Sequence, residues 1–155
     1  MPEREVDLLL VEDTPTDAAL ALRVLSRHLP SARVALVQDG AEALDYLMCR
    51  GEDDTSRAER LPRVVVLDLK LPKLDGAEVL RRLRADPATR PLPVVVFTSS
   101  QESRDIQESL SAGASSYVVK PVDADDFSRA VREIGSYWLS LTEPPPSSRL
   151  RAPPS

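Results

Sequence analysis

Residues 63–76 read RVVVLDLKLPKLDG. The run Arg63–Leu67 carries large apolar, mostly β-branched side chains without polar alternation. That is the pattern of a strand covered on both faces, as in a parallel sheet. The run ends abruptly in Asp68, and Asp75-Gly76 then opens the next segment with the capping-box spacing Asp75-x-x-Glu78. An acid at the carboxyl end of a buried strand, followed by a loop and a helix start, is the unit from which the rest of the chain is read.

Four further runs are strand candidates, and three of the five in all are nearly all apolar and β-branched. The four are Val6–Val11 (VDLLLV), Arg33–Val37 (RVALV), Val94–Thr98 (VVVFT) and Ser116–Val119 (SYVV). Amphipathic stretches separate them. Thr14-Pro15-Thr16-Asp17 opens the first, with Thr14 as N-cap, Pro15 at the first helical position and Asp17 at the capping-box position. Ala18, Leu22, Leu25 and Leu29 supply its apolar face. The second spans Asp39 to Arg50, with Ala43, Leu44, Leu47 and Met48 inward. The third starts at Asp75 and ends before Pro87. The fourth spans about Ser103 to Ala112 and stops at Gly113. The fifth opens at Asp123 and carries the stripe Phe127, Val131, Ile134, Trp138 and Leu141. Strict alternation predicts an α/β chain, (βα)5, with a doubly wound parallel sheet and helices on both faces.

Composition narrows the chemistry. The chain has 155 residues, net charge −5, 42% apolar and 29% charged residues, the mix of a soluble single domain. One cysteine, Cys49, and one histidine, His28, exclude an internal disulfide, a Cys-based zinc site and any scheme needing two imidazoles. No apolar run is long enough to span a membrane, and the start MPEREVDLLLVED lacks signal-peptide form, so a cytoplasmic protein is expected. Mild acidity argues against direct binding to nucleic acid. Residues 52–62 read as a charged, solvated insertion. From Glu143 the chain reads EPPPSSRLRAPPS, so a folded domain over 1–142 and a Pro/Ser-rich flexible tail over 143–155 are expected.

In an open doubly wound sheet, ligands bind beyond the carboxyl ends of the strands. Those ends read Glu12-Asp13, Asp68, Thr98-Ser99 and Lys120-Pro121. Three carboxylates in one cleft repel each other, by ~4 kcal/mol per pair at ~4 Å and an effective dielectric of ~20. They call for cations. Lys120 supplies one and an oxygen-seeking divalent ion, Mg²⁺, the other. A metal, a hydroxyl and an ammonium around a free carboxylate oxygen suit phosphoryl transfer, with Asp68 as nucleophile.

The set Glu12-Asp13, Asp68, Thr98 and Lys120-Pro121 resembles the receiver domain of two-component response regulators, over roughly residues 5–141. Asp68-Leu69-Lys70-Leu71-Pro72 with Asp75-Gly76, and Tyr117 three before Lys120, match further. The resemblance implies a flavodoxin-like strand order 2-1-3-4-5. It also implies that Asp68 accepts a phosphoryl group from a sensor histidine kinase, and that Asp13, Asp68 and the Lys70 backbone carbonyl ligate Mg²⁺, with Glu12 acting through water. Thr98 and Lys120 would hold phosphoryl oxygens, Thr98 and Tyr117 would form the switch, and the Lys120–Pro121 bond would be cis. The protein would be a signalling phosphoacceptor rather than an enzyme.

VEDTPTD, the insertion before the third strand, the ending SYWLSL and the lack of an output domain resemble small stand-alone receivers that partner bacterial phytochrome histidine kinases. A homodimer through the fourth helix, fifth strand and fifth helix is expected, with Trp138 at the interface.

Plainer readings stand beside these. Glu12-Asp13 could begin a solvated turn, Thr98 and Ser99 could cap the fourth helix, and Tyr117 could be an ordinary half-buried aromatic. Asp17 reads as a helix cap, His28 as a dipole-complementing residue late in a helix, and Cys49 as a small packing residue. Arg81, Arg82 and Arg84 read as a solvated face. Rival functions are a Mg²⁺-dependent aspartyl-phosphate phosphatase or phosphotransferase, and a degenerate receiver used as a scaffold. Lys70 stands where such phosphatases place a second acid, and the acid, hydroxyl and lysine set is intact. No G-x-G-x-x-G follows the first strand, which excludes a dinucleotide-binding domain.

Overall fold

Among the described residues, alternating apolar and amphipathic segments produce ten elements in β–α succession. The computed structural model describes residues 6–48 and 61–139. Its elements are β1 (Leu8–Val11), α1 (Pro15–His28), β2 (Val34–Val37), α2 (Gly40–Met48), β3 (Val64–Leu67), α3 (Gly76–Ala85), β4 (Val94–Thr98), α4 (Ser103–Ala112), β5 (Ser116–Val119) and α5 (Ala124–Trp138). All strand pairs are parallel, in the order β2-β1-β3-β4-β5. The expected α/β doubly wound sheet and its order 2-1-3-4-5 are borne out.

Strand composition follows position in the sheet. Every residue of β1, β3 and β4 is buried, whereas β2 and β5, at the edges, are partly open. Successive side chains in a strand point to opposite faces. Leu9, Val11, Val65, Leu67, Val94 and Val96 therefore pack with Ala43, Leu47, Val79, Leu80 and Leu83 of α2 and α3. Leu8, Leu10, Val64, Val66, Val95 and Phe97 pack with Val24 and Leu25 of α1 and Phe127, Val131 and Ile134 of α5. Phe97 and Phe127 meet at 5.2 Å between ring centroids.

Several local expectations are corrected. β1, β2 and β3 begin at Leu8, Val34 and Val64, one or two residues later than their patterns suggested. The buried stripe of α1 is Ala18, Ala21, Val24 and Leu25, while Leu22 and Leu29 are only partly buried. Thr14 makes no side-chain cap. Asp75 and Asp123 do cap, accepting from the backbone N–H of Glu78 and Asp126. Arg84 is not part of a solvated face. Its guanidinium donates to the carbonyls of Gly113, Arg90 and Leu92, tying α3 to the ends of α4 and of the α3–β4 loop. No cis peptide bond occurs among the described residues, so Lys120–Pro121 is trans, the form an X–Pro bond prefers by only ~0.5–1 kcal/mol. Cys49, Leu141, most of the insertion and the tail over 143–155 lie outside the described residues.

One glycine fixes the loop after β3. The Gly76 N–H donates to the Leu69 carbonyl at 2.8 Å, and a Cβ at Gly76 would lie 2.5 Å from the Asp68 carbonyl oxygen. That distance is far inside van der Waals contact, and the atom it meets is backbone, which cannot turn aside. Gly76→Ala is expected to cost about 1–3 kcal/mol, the usual price of overpacking, read as a lowered melting temperature. An unchanged melting temperature would show that α3 can retreat from β3.

Candidate functional site

The hydrogen-bond ladder of the sheet continues one step past the strands. The Glu12 N–H donates to the Val37 carbonyl, the Asp68 N–H to Val11 and the Lys120 N–H to Thr98, at 3.0, 3.1 and 2.7 Å. Parallel register thus brings the first residues beyond β1, β3 and β5 to one level at the carboxyl edge. Glu12, Asp68, Thr98 and Lys120 are all buried there. Oxygens of Glu12, Asp13 and Asp68 lie within 4.8 Å of one another, Asp13 being the most open to solvent.

The Lys120 ammonium lies among the acids. Its Nζ is 2.7 Å from Glu12 Oε1, 2.9 Å from Asp68 Oδ2 and 2.9 Å from Asp17 Oδ2. The other Asp68 oxygen accepts from the Leu69 N–H at 2.7 Å, and Glu12 Oε2 accepts from the Thr14 N–H at 3.1 Å. Burial disfavours the Lys120 charge, but the hydrogen bonds it donates to Glu12, Asp17 and Asp68 outweigh it and hold the ammonium above its ordinary pKa. Burial, seconded by the Asp68 charge, raises the Glu12 carboxyl against the opposing pull of Lys120. Both folded values are raised. The stability that each contributes is complete below its unfolded pKa and is lost as pH rises through the folded one. For Lys120 that loss falls in strongly alkaline solution, and for Glu12 it begins above 4.5.

Asp17 is the residue that the sequence misassigned. Its capping-box partner, the Thr14 N–H, is occupied by Glu12, and its carboxylate turns to Lys120 instead. The signal was available: a helix that begins immediately beyond a strand's carboxyl end presents its first turn to the cleft. The remaining predicted residues lie around this centre. Thr98 is 1% exposed and joined to Lys120 through the main chain. Tyr117 is fully buried rather than half-buried, and its hydroxyl donates to the Ser100 carbonyl at 2.9 Å. The Ser100 hydroxyl in turn donates to Asp105 at 2.5 Å. Lys70 is exposed on the loop after Asp68. Trp138 is half-buried at the end of α5, edge-on to Tyr137 at 5.0 Å. Ser99 is exposed and His28 lies exposed in the last turn of α1.

Chemically, the site offers oxygen donors only. Three carboxylates converging on one point suit a hard divalent cation such as Mg²⁺ and not a thiol- or imidazole-seeking metal. No helix among the described residues is long and apolar enough to cross a membrane.

Comparison with known proteins gives the same answer throughout. Residues 8–132 match the family model described as the response regulator receiver domain. The probable methanogenesis regulatory protein FilR2 of Methanothrix harundinacea is 41% identical over 138 residues, 89% of this chain and 86% of that protein. The crystal structure of the phosphorylated cyanobacterial phytochrome response regulator RcpA superposes with a TM-score of 0.78 at 34% identity, covering 92% of this chain and 99% of the other. The bacteriophytochrome response regulator RtBRR is 46% identical, with a TM-score of 0.66, covering 93% and 86%.

The electrostatics yield a test. Asp13→Asn removes a charge that repels two buried carboxylates without removing a partner of Lys120 found here. It is expected to stabilise the metal-free protein by about 1 kcal/mol after solvent screening; millimolar Mg²⁺ is expected to raise the melting temperature of the parent, and Asp13→Asn to abolish most of that rise. An undiminished Mg²⁺ response would remove Asp13 from the metal site.

Proposed function

Because the chain belongs to the response regulator receiver domain family, we propose that it is a phosphorylation switch whose acceptor is Asp68. The carrying observation is the Asp68 carboxylate, buried and held between the Leu69 N–H and the Lys120 ammonium beside the oxygens of Glu12 and Asp13. Held in this way, a carboxylate oxygen is oriented as a nucleophile before the donor arrives. The oxygen forms the new P–O bond as the P–N bond of the kinase's phosphohistidine breaks, and the electron pair leaves with the histidine nitrogen.

Asp68 loses its own charge in the acyl phosphate, and the phosphoryl group brings about −1.5 to −2 in its place. Lys120 and Thr98 receive the phosphoryl oxygens. Asp13, Asp68 and the Lys70 carbonyl would hold Mg²⁺, with Glu12 acting through water. Mg²⁺ bound there supplies positive charge against the transferring group. Movement of Thr98 toward the new oxygens would vacate space that the Tyr117 ring can fill, and a shift of that ring would loosen its bond to Ser100. The surface of α4, β5 and α5 would change accordingly.

The partner is a cytoplasmic sensor histidine kinase of the bacterial phytochrome kind. Similarity to RcpA and RtBRR, both phytochrome response regulators, supports this choice. The output is protein contact, beginning with a homodimer through α4, β5 and α5. On that side Leu110 and Val122 are exposed apolar residues, and Trp138 is only half-buried.

Incubation with Mg²⁺ and acetyl phosphate is expected to add one phosphoryl mass to the intact protein, and Asp68→Asn to abolish it. Label persisting in that variant would defeat the assignment, and catalytic release of phosphate from added phosphoesters would favour a phosphatase. For the dimer, Trp138→Ala is expected to weaken self-association by about tenfold, the loss of one aromatic anchor, in sedimentation. An unaltered monomer–dimer balance would remove Trp138 from the interface.

A further inference from the structure

We propose that Asp17 is a positioning residue for phosphoryl transfer, fixing the Lys120 ammonium beside the acceptor; this rests on Asp68 being that acceptor. An ammonium has three N–H donors. Here they face three carboxylate oxygens, of Glu12, Asp68 and Asp17, at 2.7, 2.9 and 2.9 Å. The Glu12 and Asp68 side chains are 3% and 8% exposed, whereas that of Asp17 is 30% exposed. Asp17 therefore closes the ammonium's coordination from the solvent side. Without it the third N–H would turn to water, and a flexible four-carbon stem would have one restraint fewer.

The restraint matters most when Asp68 reacts. Its carboxylate charge is spent in the P–O bond, so the ammonium must exchange that partner for a phosphoryl oxygen. Glu12 and Asp17 keep their charges and hold the ammonium from two sides during the exchange. Asp17 is able to do this for a local reason. Pro15 occupies the first helical position and Glu12 takes the Thr14 N–H, so the capping role that Asp17 would otherwise fill is closed to it. Its place in the first turn of α1 turns it toward β5, across 103 residues of sequence.

A double-mutant cycle separates this role from a structural or diffuse electrostatic one. The rate of Asp68 phosphorylation by acetyl phosphate with saturating Mg²⁺ is measured in the parent, Asp17→Asn, Lys120→Met and the double variant. Asp17→Asn alone is expected to slow the reaction about tenfold, the loss of one hydrogen bond to a charged group. In the Lys120→Met background the same change should have little further effect, because residues acting as a unit are not additive. An equal slowing in both backgrounds would overturn the proposal.

Hydrogen exchange of the ¹⁵N-labelled Lys120 ammonium in the metal-free protein gives a readout independent of the reaction. Exchange is expected to accelerate severalfold in Asp17→Asn, and identical exchange in the two proteins would also overturn the proposal. A parent protein that takes no phosphoryl group would instead defeat the acceptor assignment, while the ammonium's exchange still decides the part played by Asp17.

Discussion

The site is organised by one ammonium group, that of Lys120, surrounded by carboxylates. Glu12, Asp17 and Asp68 each contact it, and Asp13 stands beside them, so four acids share one cation. Like charges ~4 Å apart repel by several kcal/mol even at an effective dielectric of ~20. Removing one member of a buried pair leaves a charge that neither water nor protein compensates. The fold therefore depends on bringing the end of β5 level with the ends of β1 and β3, and on keeping it there. That leaves a surplus of negative charge, which suits the binding of a divalent cation.

The sheet meets this demand through strand placement. β3 is central and buried on both faces, so Asp68 emerges from the middle of the sheet. The backbone of Gly76 packs against the Asp68 carbonyl, and α3 starts there with Asp75 as its cap. Arg84 then anchors the far end of α3 to carbonyls around β4 and α4. By contrast, the segment after β4 is held through Ser100, whose hydroxyl also accepts from the Glu102 N–H. Tyr117 reaches the Ser100 carbonyl, and Ser100 reaches Asp105 in the first turn of α4. A buried carboxylate at the end of the central strand, beside a loop tied through side chains, is the division that the proposed switch would use, because local changes can fall on the loop while the carboxylate stays in place.

Legibility varied with the physical origin of each signal. Central strands were plain because burial on both faces demands uninterrupted apolar, β-branched runs. Strand-end residues were plain because ligands gather at one edge of such a sheet. Asp17 was misjudged because capping-box spacing is local, while the choice between a nearby N–H and a distant ammonium is made in space. Arg84 was misjudged for the same reason: a charged residue among other arginines reads as solvated until the carbonyls it serves are assembled around it. On α1 the sequence reading of Ala18 and Leu25 held, but Leu22 and Leu29 are only partly buried and Ala21 and Val24 complete the buried stripe, because packing against α5 and the sheet sets the rotation of the helix.

By itself the sequence determined the alternation of elements, their parallel sheet and the residue types at its carboxyl edge. These follow from short-range periodicity and from the crossover that a helix between two strands makes, which leaves the strands parallel with their carboxyl ends at one edge. Only the tertiary structure decided which acids share the lysine, that Tyr117 lies inward, and that Lys120–Pro121 is trans. Those outcomes rest on contacts between residues far apart in the chain. A carboxylate's partner is the cation that reaches it in space, whatever the spacing along the chain suggests.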